Sequence, residues 1–123
     1  MIQLNEIKLC VIGLGYVGLP LAVTFASRRE VVAFDIDTQR IENLKNYIDL
    51  TLEVPSEDIK KVKDKIIFTS DEMSLKKCNC FIVTVPTPVS EDKQPDLSHL
   101  ISASKLVGRY IERGGLAIYE STV

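Results

Sequence analysis

Short apolar runs alternate along the chain with longer stretches in which apolar residues recur at helical spacing. Ile7 to Ile12 is apolar except for Lys8, as a strand buried on both faces would be. Leu19, Leu21, Ala22, Phe25 and Ala26 then follow a helical period, predicting a helix over about Tyr16 to Ser27 with Pro20 near its first turn. Val31-Val32-Ala33-Phe34 reads as a second strand ending at Asp35. Thr38 is the expected cap of a helix that turns Ile41 and Leu44 inward, and Ser56 the expected cap of a short Lys-rich helix beyond the loop Asp49 to Pro55. Ile66 to Thr69 is a third strand, Ser70 to Lys77 a helical turn or two, and Phe81 to Val85 a fourth strand that Pro86-Thr87-Pro88 stops. Asp96 or Ser98 caps a last helix with an inward stripe of Leu97, Leu100, Ile101, Ser104, Leu106, Val107 and Ile111. Gly114-Gly115 is expected to end it, before a fifth strand at Leu116 to Tyr119.

Strands alternating with helices predict a doubly wound α/β fold of the Rossmann type. Its sheet is parallel, with five strands in the order 3-2-1-4-5 and helices on both faces. Residues 1–123 fill one such domain, which reads as truncated before a sixth strand.

Composition narrows the partners. The chain is 46% hydrophobic and 26% charged, as ordinary globular proteins are. A net charge of −2, from 15 basic and 17 acidic residues, implies neither a nucleic-acid nor an anionic-membrane partner. No apolar run has the roughly 20 residues of a membrane span. The polar start is unlike a secretory signal, so a cytoplasmic protein is expected. Cys10, Cys78 and Cys80 lack zinc or redox spacing; Cys10 and Cys80 read as buried, inert thiols, and no metal site is expected.

Four segments carry chemistry. Gly13-Leu14-Gly15-Tyr16-Val17-Gly18 follows a strand and opens a helix, the context a dinucleotide-binding turn requires. Gly13 permits the tight turn, Gly15 lets a pyrophosphate approach the backbone, and Gly18 lets the helix pack on the strand. The anion would sit on the helix N-terminus. Asp35 lies 22 residues beyond Gly13, where a carboxylate takes the adenosine ribose diol and disfavours a 2′-phosphate, so NAD is expected over NADP. Asp37 either shares that role or simply starts a helix. Arg40 is either a solvated helix residue or a group over the adenine or its ribose, and an arginine here could also hold a 2′-phosphate. Val85-Pro86-Thr87-Pro88 ends the fourth strand beside the topological switch point, with Thr87 toward the crevice. Glu120-Ser121-Thr122 follows the fifth strand at the same edge.

These segments, in this order, resemble the NAD-binding domain of the UDP-glucose/GDP-mannose dehydrogenase family. Gln94-Pro95-Asp96-Leu97 and Tyr119-Glu120-Ser121-Thr122-Val123 are most similar to its UDP-N-acetylhexosamine 6-dehydrogenase branch, which includes enzymes of bacterial surface-polysaccharide synthesis. The resemblance implies oxidation of a UDP-sugar C6 alcohol to a carboxylate with two NAD+, UDP-glucose and GDP-mannose being the other substrates of the family. It also implies that Gly13, Leu14, Gly15, Tyr16, Val17 and Gly18 hold the pyrophosphate. Asp35 would hold the ribose, with Arg40 beside it, and Val85, Pro86, Thr87 and Glu120 would contact the cofactor. Thr122 would bind near the nicotinamide and help order the water of the hydrolytic step. Tyr16 has a second reading, as an exposed aromatic at a helix start.

The family's cysteine nucleophile lies in a glycine-rich segment well beyond such a domain, and nothing here matches it. The family's lysine, sugar-nucleotide domain and dimerisation helix have no counterpart either. The chain is thus expected to be an inactive fragment of an enzyme that forms a homodimer or larger assembly. Two alternatives stand beside this reading: a stand-alone NAD-sensing module, and a methyltransferase or flavin protein with a similar glycine turn.

Overall fold

The computed structural model describes residues 4–120. Its sheet is parallel throughout and runs in the order β3-β2-β1-β4-β5, built from β1 (Leu9–Ile12), β2 (Val31–Phe34), β3 (Ile66–Thr69), β4 (Cys80–Val83) and β5 (Leu116–Tyr119). Both the topology and the strand order are those expected. β1 sits between β2 and β4, with Ile12 level with Phe34 on one side and Val83 on the other. Three strand ends therefore meet at one edge.

Side chains alternate across the sheet, and each face has its own core. Leu9, Val11, Val31, Ala33, Ile66, Phe68 and Ile82 pack against α1 (Gly18–Ala26), α2 (Thr38–Lys45) and α3 (Ser56–Lys61), through Leu19, Ala22, Ile41, Leu44 and Ile59. Cys10, Ile12, Val32, Phe34, Phe81 and Val83 face the other way, onto Ala103, Leu106 and Val107 of α4 (Ser98–Tyr110) and Leu75 of a 3₁₀ helix, Glu72–Lys77. The central strands are uniformly buried because both faces are covered, and this is why they read as unbroken apolar runs.

Several local expectations change. α1 starts at Gly18 rather than Tyr16, and β4 ends at Val83 rather than Val85. Asp37, not Thr38, caps α2, its carboxylate accepting from the Gln39 and Arg40 N–H groups. Ser56 is the first helical residue of α3 and donates its hydroxyl to Tyr47 O instead of capping. Asp96 accepts from Ser98 N ahead of α4. The α4 stripe holds at Leu106 and Val107, which are buried, and at Leu100 and Ile111, which pack on the same core, but Leu97 and Ile101 are exposed and Ala103 is buried in addition. α4 ends at Tyr110, Ile111 beyond it turns into extended backbone, and Gly114 (φ +89°) serves the following turn. Among the described residues no helix is long and apolar enough to cross a membrane.

Candidate functional site

The turn after β1 is held by groups that the fold brings from three directions. Gly13 adopts φ +96°, which L side chains rarely adopt, and a Cβ there would press on Val85 at 3.0 Å. Gly18 is under a tighter constraint. A Cβ on it would lie 1.7 Å from Gly13 O and 2.4 Å from Thr84 Oγ1. Thr84, buried at the end of β4, donates to Gly13 O at 2.6 Å. Its hydroxyl thereby ties the turn to the neighbouring strand.

Leu14, between the first two glycines, is clasped on both of its backbone groups. Its N–H donates to Asp35 Oδ2 at 2.8 Å, and its carbonyl accepts from Arg40 Nη2 at 2.6 Å and Nε at 2.9 Å. Arg40 is not solvated: its side chain is 11% exposed and its Nη1 lies 2.8 Å from Asp49 Oδ1. Asp49 in turn accepts from Thr51 N and Oγ1, Glu53 N and Val54 N. Burial acts to raise the Asp49 pKa, but the Thr51, Arg40 and backbone bonds outweigh it and hold the carboxyl well below the usual carboxylate range. Tyr47 (φ 63°) and Leu52 (φ 59°), either side of Asp49, sit in the left-handed region, a strained conformation that those bonds offset.

A cavity of about 530 Å³ opens at the strand ends, within the range of small-molecule sites. Gly13, Leu14, Gly15, Asp35, Arg40, Val85 and Pro86 all line it, so seven of the expected cofactor residues meet there. Tyr16 and Val17 are exposed at the start of α1, Thr87 is half-buried, and Gly18 lies beneath the turn. Glu120 lines a different groove, on the α1 side of the sheet with Val17 and Ile118. Thr122 lies outside the described residues.

The cavity's far wall was not anticipated. Glu72, His99, Ser102, Ala103, Leu106 and Arg109 form it, from the 3₁₀ helix and α4. Tyr110 OH donates to Glu72 Oε1 at 2.7 Å and Arg109 Nη2 lies 3.1 Å from Glu72 Oε2; the Tyr110 bond first, then Arg109, holds the Glu72 carboxyl below its ordinary value. Of these, Leu106 belonged to the expected inward stripe of α4, whereas no local pattern marked Glu72, His99, Ser102, Ala103 or Arg109. Thr84 and Asp49 likewise escaped notice, one inside an apolar run and one inside a polar loop.

The arrangement suits a dinucleotide. Gly15 borders the cavity, and a Cβ there would meet nothing within 4 Å, so its bareness serves no packing need of the protein. α1 opens with no side-chain cap and no acidic residue in its first turn, which leaves its positive end available to an anion. The three thiols are buried; hydrogen bonding with Cys78 and burial push Cys10 upward, burial raises Cys80, and the Cys10 bond, with Lys77 and Lys8 nearby, lowers Cys78. Cys78 lines a groove away from the glycine turn, with Lys8, Val32 and Lys77.

The model of the UDP-glucose/GDP-mannose dehydrogenase family NAD binding domain matches residues 7–123. The chain belongs to this family. As its NAD binding domain, the chain has NAD as its cofactor. It is 49% identical to UDP-N-acetyl-D-glucosamine 6-dehydrogenase of Salmonella typhi, over 100% of this chain and 29% of that protein. It is 51% identical to the enzyme of the same name from Pseudomonas aeruginosa, over 98% of this chain and 28% of that protein. A solved structure of a UDP-D-ManNAc dehydrogenase from Pyrococcus horikoshii superposes with a TM-score of 0.89 at 38% identity, over 95% of this chain and 29% of that one. The NAD binding domain described here thus spans less than a third of the length of the relatives it matches.

Proposed function

We propose that this NAD binding domain serves as the N-terminal part of a longer nucleotide-sugar 6-dehydrogenase, which oxidises the C6 alcohol of a UDP-N-acetylhexosamine to a carboxylate with two NAD+. The observation that carries the cofactor half is Gly15, bare against open space between a clasped Leu14 and an uncapped α1. The pyrophosphate would rest on the backbone from Gly13 to Gly18, and the Asp35 carboxylate would accept from the ribose hydroxyls. Val85, Pro86 and Thr87 would border the cofactor where it crosses the switch point, with Tyr16 and Val17 at the helix start and Glu120 and Thr122 toward the nicotinamide end. NAD, when bound, supplies the hydride acceptor. The choice of sugar is supported by the two relatives of about half-identical sequence, both named UDP-N-acetyl-D-glucosamine 6-dehydrogenases.

Two measurements test this. Titration of the 123-residue chain with NAD+ is expected to show saturable binding that Asp35→Ala weakens by about 1–3 kcal/mol, the worth of hydrogen bonds to a charged group. Unchanged affinity in that variant would remove Asp35 from the site. The complete protein, assayed with UDP-N-acetylglucosamine, should release two NADH per sugar. Turnover confined to UDP-glucose or GDP-mannose would overturn the substrate assignment. Binding of adenosylmethionine or a flavin with no response to NAD+ would overturn the cofactor reading.

A further inference from the structure

Arg40 and Asp35 both reach the same residue of the glycine turn from opposite sides. Asp35 Oδ2 accepts from Leu14 N, while Arg40 Nε and Nη2 donate to Leu14 O, and both side chains border one cavity. A guanidinium so close to the ribose-binding carboxylate would, if unengaged, attract a 2′-phosphate. It is engaged. Its remaining Nη1 is paired with Asp49, whose side chain is 1% exposed and whose other lone pairs are taken up by Thr51, Glu53 and Val54. Asp37, the other carboxylate at this end of β2, is occupied in capping α2, where Oδ1 accepts from Gln39 N and Arg40 N.

We propose that Asp49 is a specificity-determining residue: by neutralising Arg40 and fixing its guanidinium on Leu14 O, it keeps that cation from a 2′-phosphate and so excludes NADP. Discrimination then has two layers. Asp35 repels the phosphate directly, and Asp49, which does not line the cavity, withholds the cation that would attract it. The inference rests on the cofactor reading above.

The test is the ratio of Kd for NADP+ to Kd for NAD+, measured by calorimetry on the 123-residue chain at low salt. Asp49→Asn keeps the shape and removes the charge. It is expected to lower the ratio roughly tenfold, the scale of a gained charge-assisted hydrogen bond, and the gain should shrink at high salt. In an Arg40→Met background, Asp49→Asn should leave the ratio where it was. A purely structural role for Asp49 would weaken both dinucleotides alike, and a ratio unchanged in folded Asp49→Asn overturns the proposal. So does a gain that persists without Arg40, which would point to Arg109 across the cavity. Arg40→Met alone gives an independent reading if Asp49→Asn fails to fold. The proposal expects an unchanged ratio, because a sequestered guanidinium contributes nothing to discrimination; a selective several-fold loss of NADP+ binding overturns it. A wild-type chain that binds neither dinucleotide refutes the cofactor reading, and this inference falls with it.

Discussion

Alanine at Gly15 and alanine at Gly18 add the same methyl group to the same turn, yet the structure demands opposite outcomes. At Gly18 the new Cβ would stand 1.7 Å from Gly13 O, 2.4 Å from Thr84 Oγ1 and 2.8 Å from Gly13 C, where real Cβ contacts stay beyond 3.0 Å. Gly13 O is backbone and cannot swing aside, so α1 must lift from β1 by more than an ångström. That lift loosens Leu19 and Ala22 against the sheet and strains the 2.6 Å bond from Thr84 Oγ1. Overpacking gives a loss of about 1–3 kcal/mol, while the Thr84 hydroxyl, parted from Gly13 O, keeps Ile12 O as an acceptor at 3.1 Å. Against a domain stability of about 5–15 kcal/mol, that loss should move the urea midpoint down by roughly 1 M. At Gly15 the methyl meets nothing within 4 Å and the backbone is not left-handed. Stability should hold or rise by about 0.4–1 kcal/mol, through a less flexible unfolded chain. The methyl would instead occupy the space the pyrophosphate needs, costing tenfold or more in NAD+ affinity, about 1.4 kcal/mol or above. The chain has no tryptophan, so unfolding is followed by far-ultraviolet circular dichroism and binding by calorimetry. A Gly15→Ala variant that loses stability as Gly18→Ala does, or one that binds NAD+ like the wild type, would refute the assignment of Gly15 to the ligand.

Other outcomes follow from the buried charges and thiols. Asp49→Ala should destabilise the domain by about 3–5 kcal/mol, since Arg40 loses its buried partner and the Thr51, Glu53 and Val54 N–H groups lose their acceptor; chemical denaturation at pH 7 measures it. The Asp49 pKa is lowered in the folded state, so its contribution is fully present above the unfolded carboxylate value near 3.9 and disappears as pH falls through the folded value. Wild-type stability should therefore fall more steeply below about pH 4 than that of Asp49→Asn, and parallel slopes in acid denaturation would sink the linkage. Cys10 and Cys80, buried and pushed upward, should react with a thiol reagent only at the rate of unfolding, whereas Cys78, lowered by Cys10, Lys77 and Lys8 and lining a groove, should react first; rapid modification of Cys10 or Cys80 in the native chain would contradict their placement.

What was legible in the residue order was what depends on periodicity. β1, β2 and β4 announce themselves because strands covered on both faces have no polar positions to interrupt them. The glycine turn and Asp35 are legible because backbone geometry allows few solutions there. Asp49 was hidden for the opposite reason. It sits in a polar loop, and its value comes from bonds to Arg40 and to a left-handed turn that no local pattern encodes. The α4 stripe was only partly legible: Leu106 and Val107 face the core as expected, but Leu97 and Ile101 look like core residues and are exposed, whereas small Ala103 is buried. Thr38 and Asp37 are both good caps by composition. Only the backbone shows which of them lies outside the helix.

The clasp on Leu14 bears on the order in which the domain comes together. Its bonds span 21 residues to Asp35 and 26 to Arg40, and the Arg40–Asp49 pair spans 9. The bonds from Thr84 to this turn span 72 and 71 residues. Short loops cost less entropy to close, so the first glycine-turn contacts can form from the first half of the chain while β4 is still unplaced. During synthesis the turn would be shaped by its own neighbourhood and pinned only later, when β4 pairs with β1 and brings Thr84 beneath it. Mutations in the clasp should accordingly slow folding, whereas mutations at Thr84 should chiefly hasten unfolding.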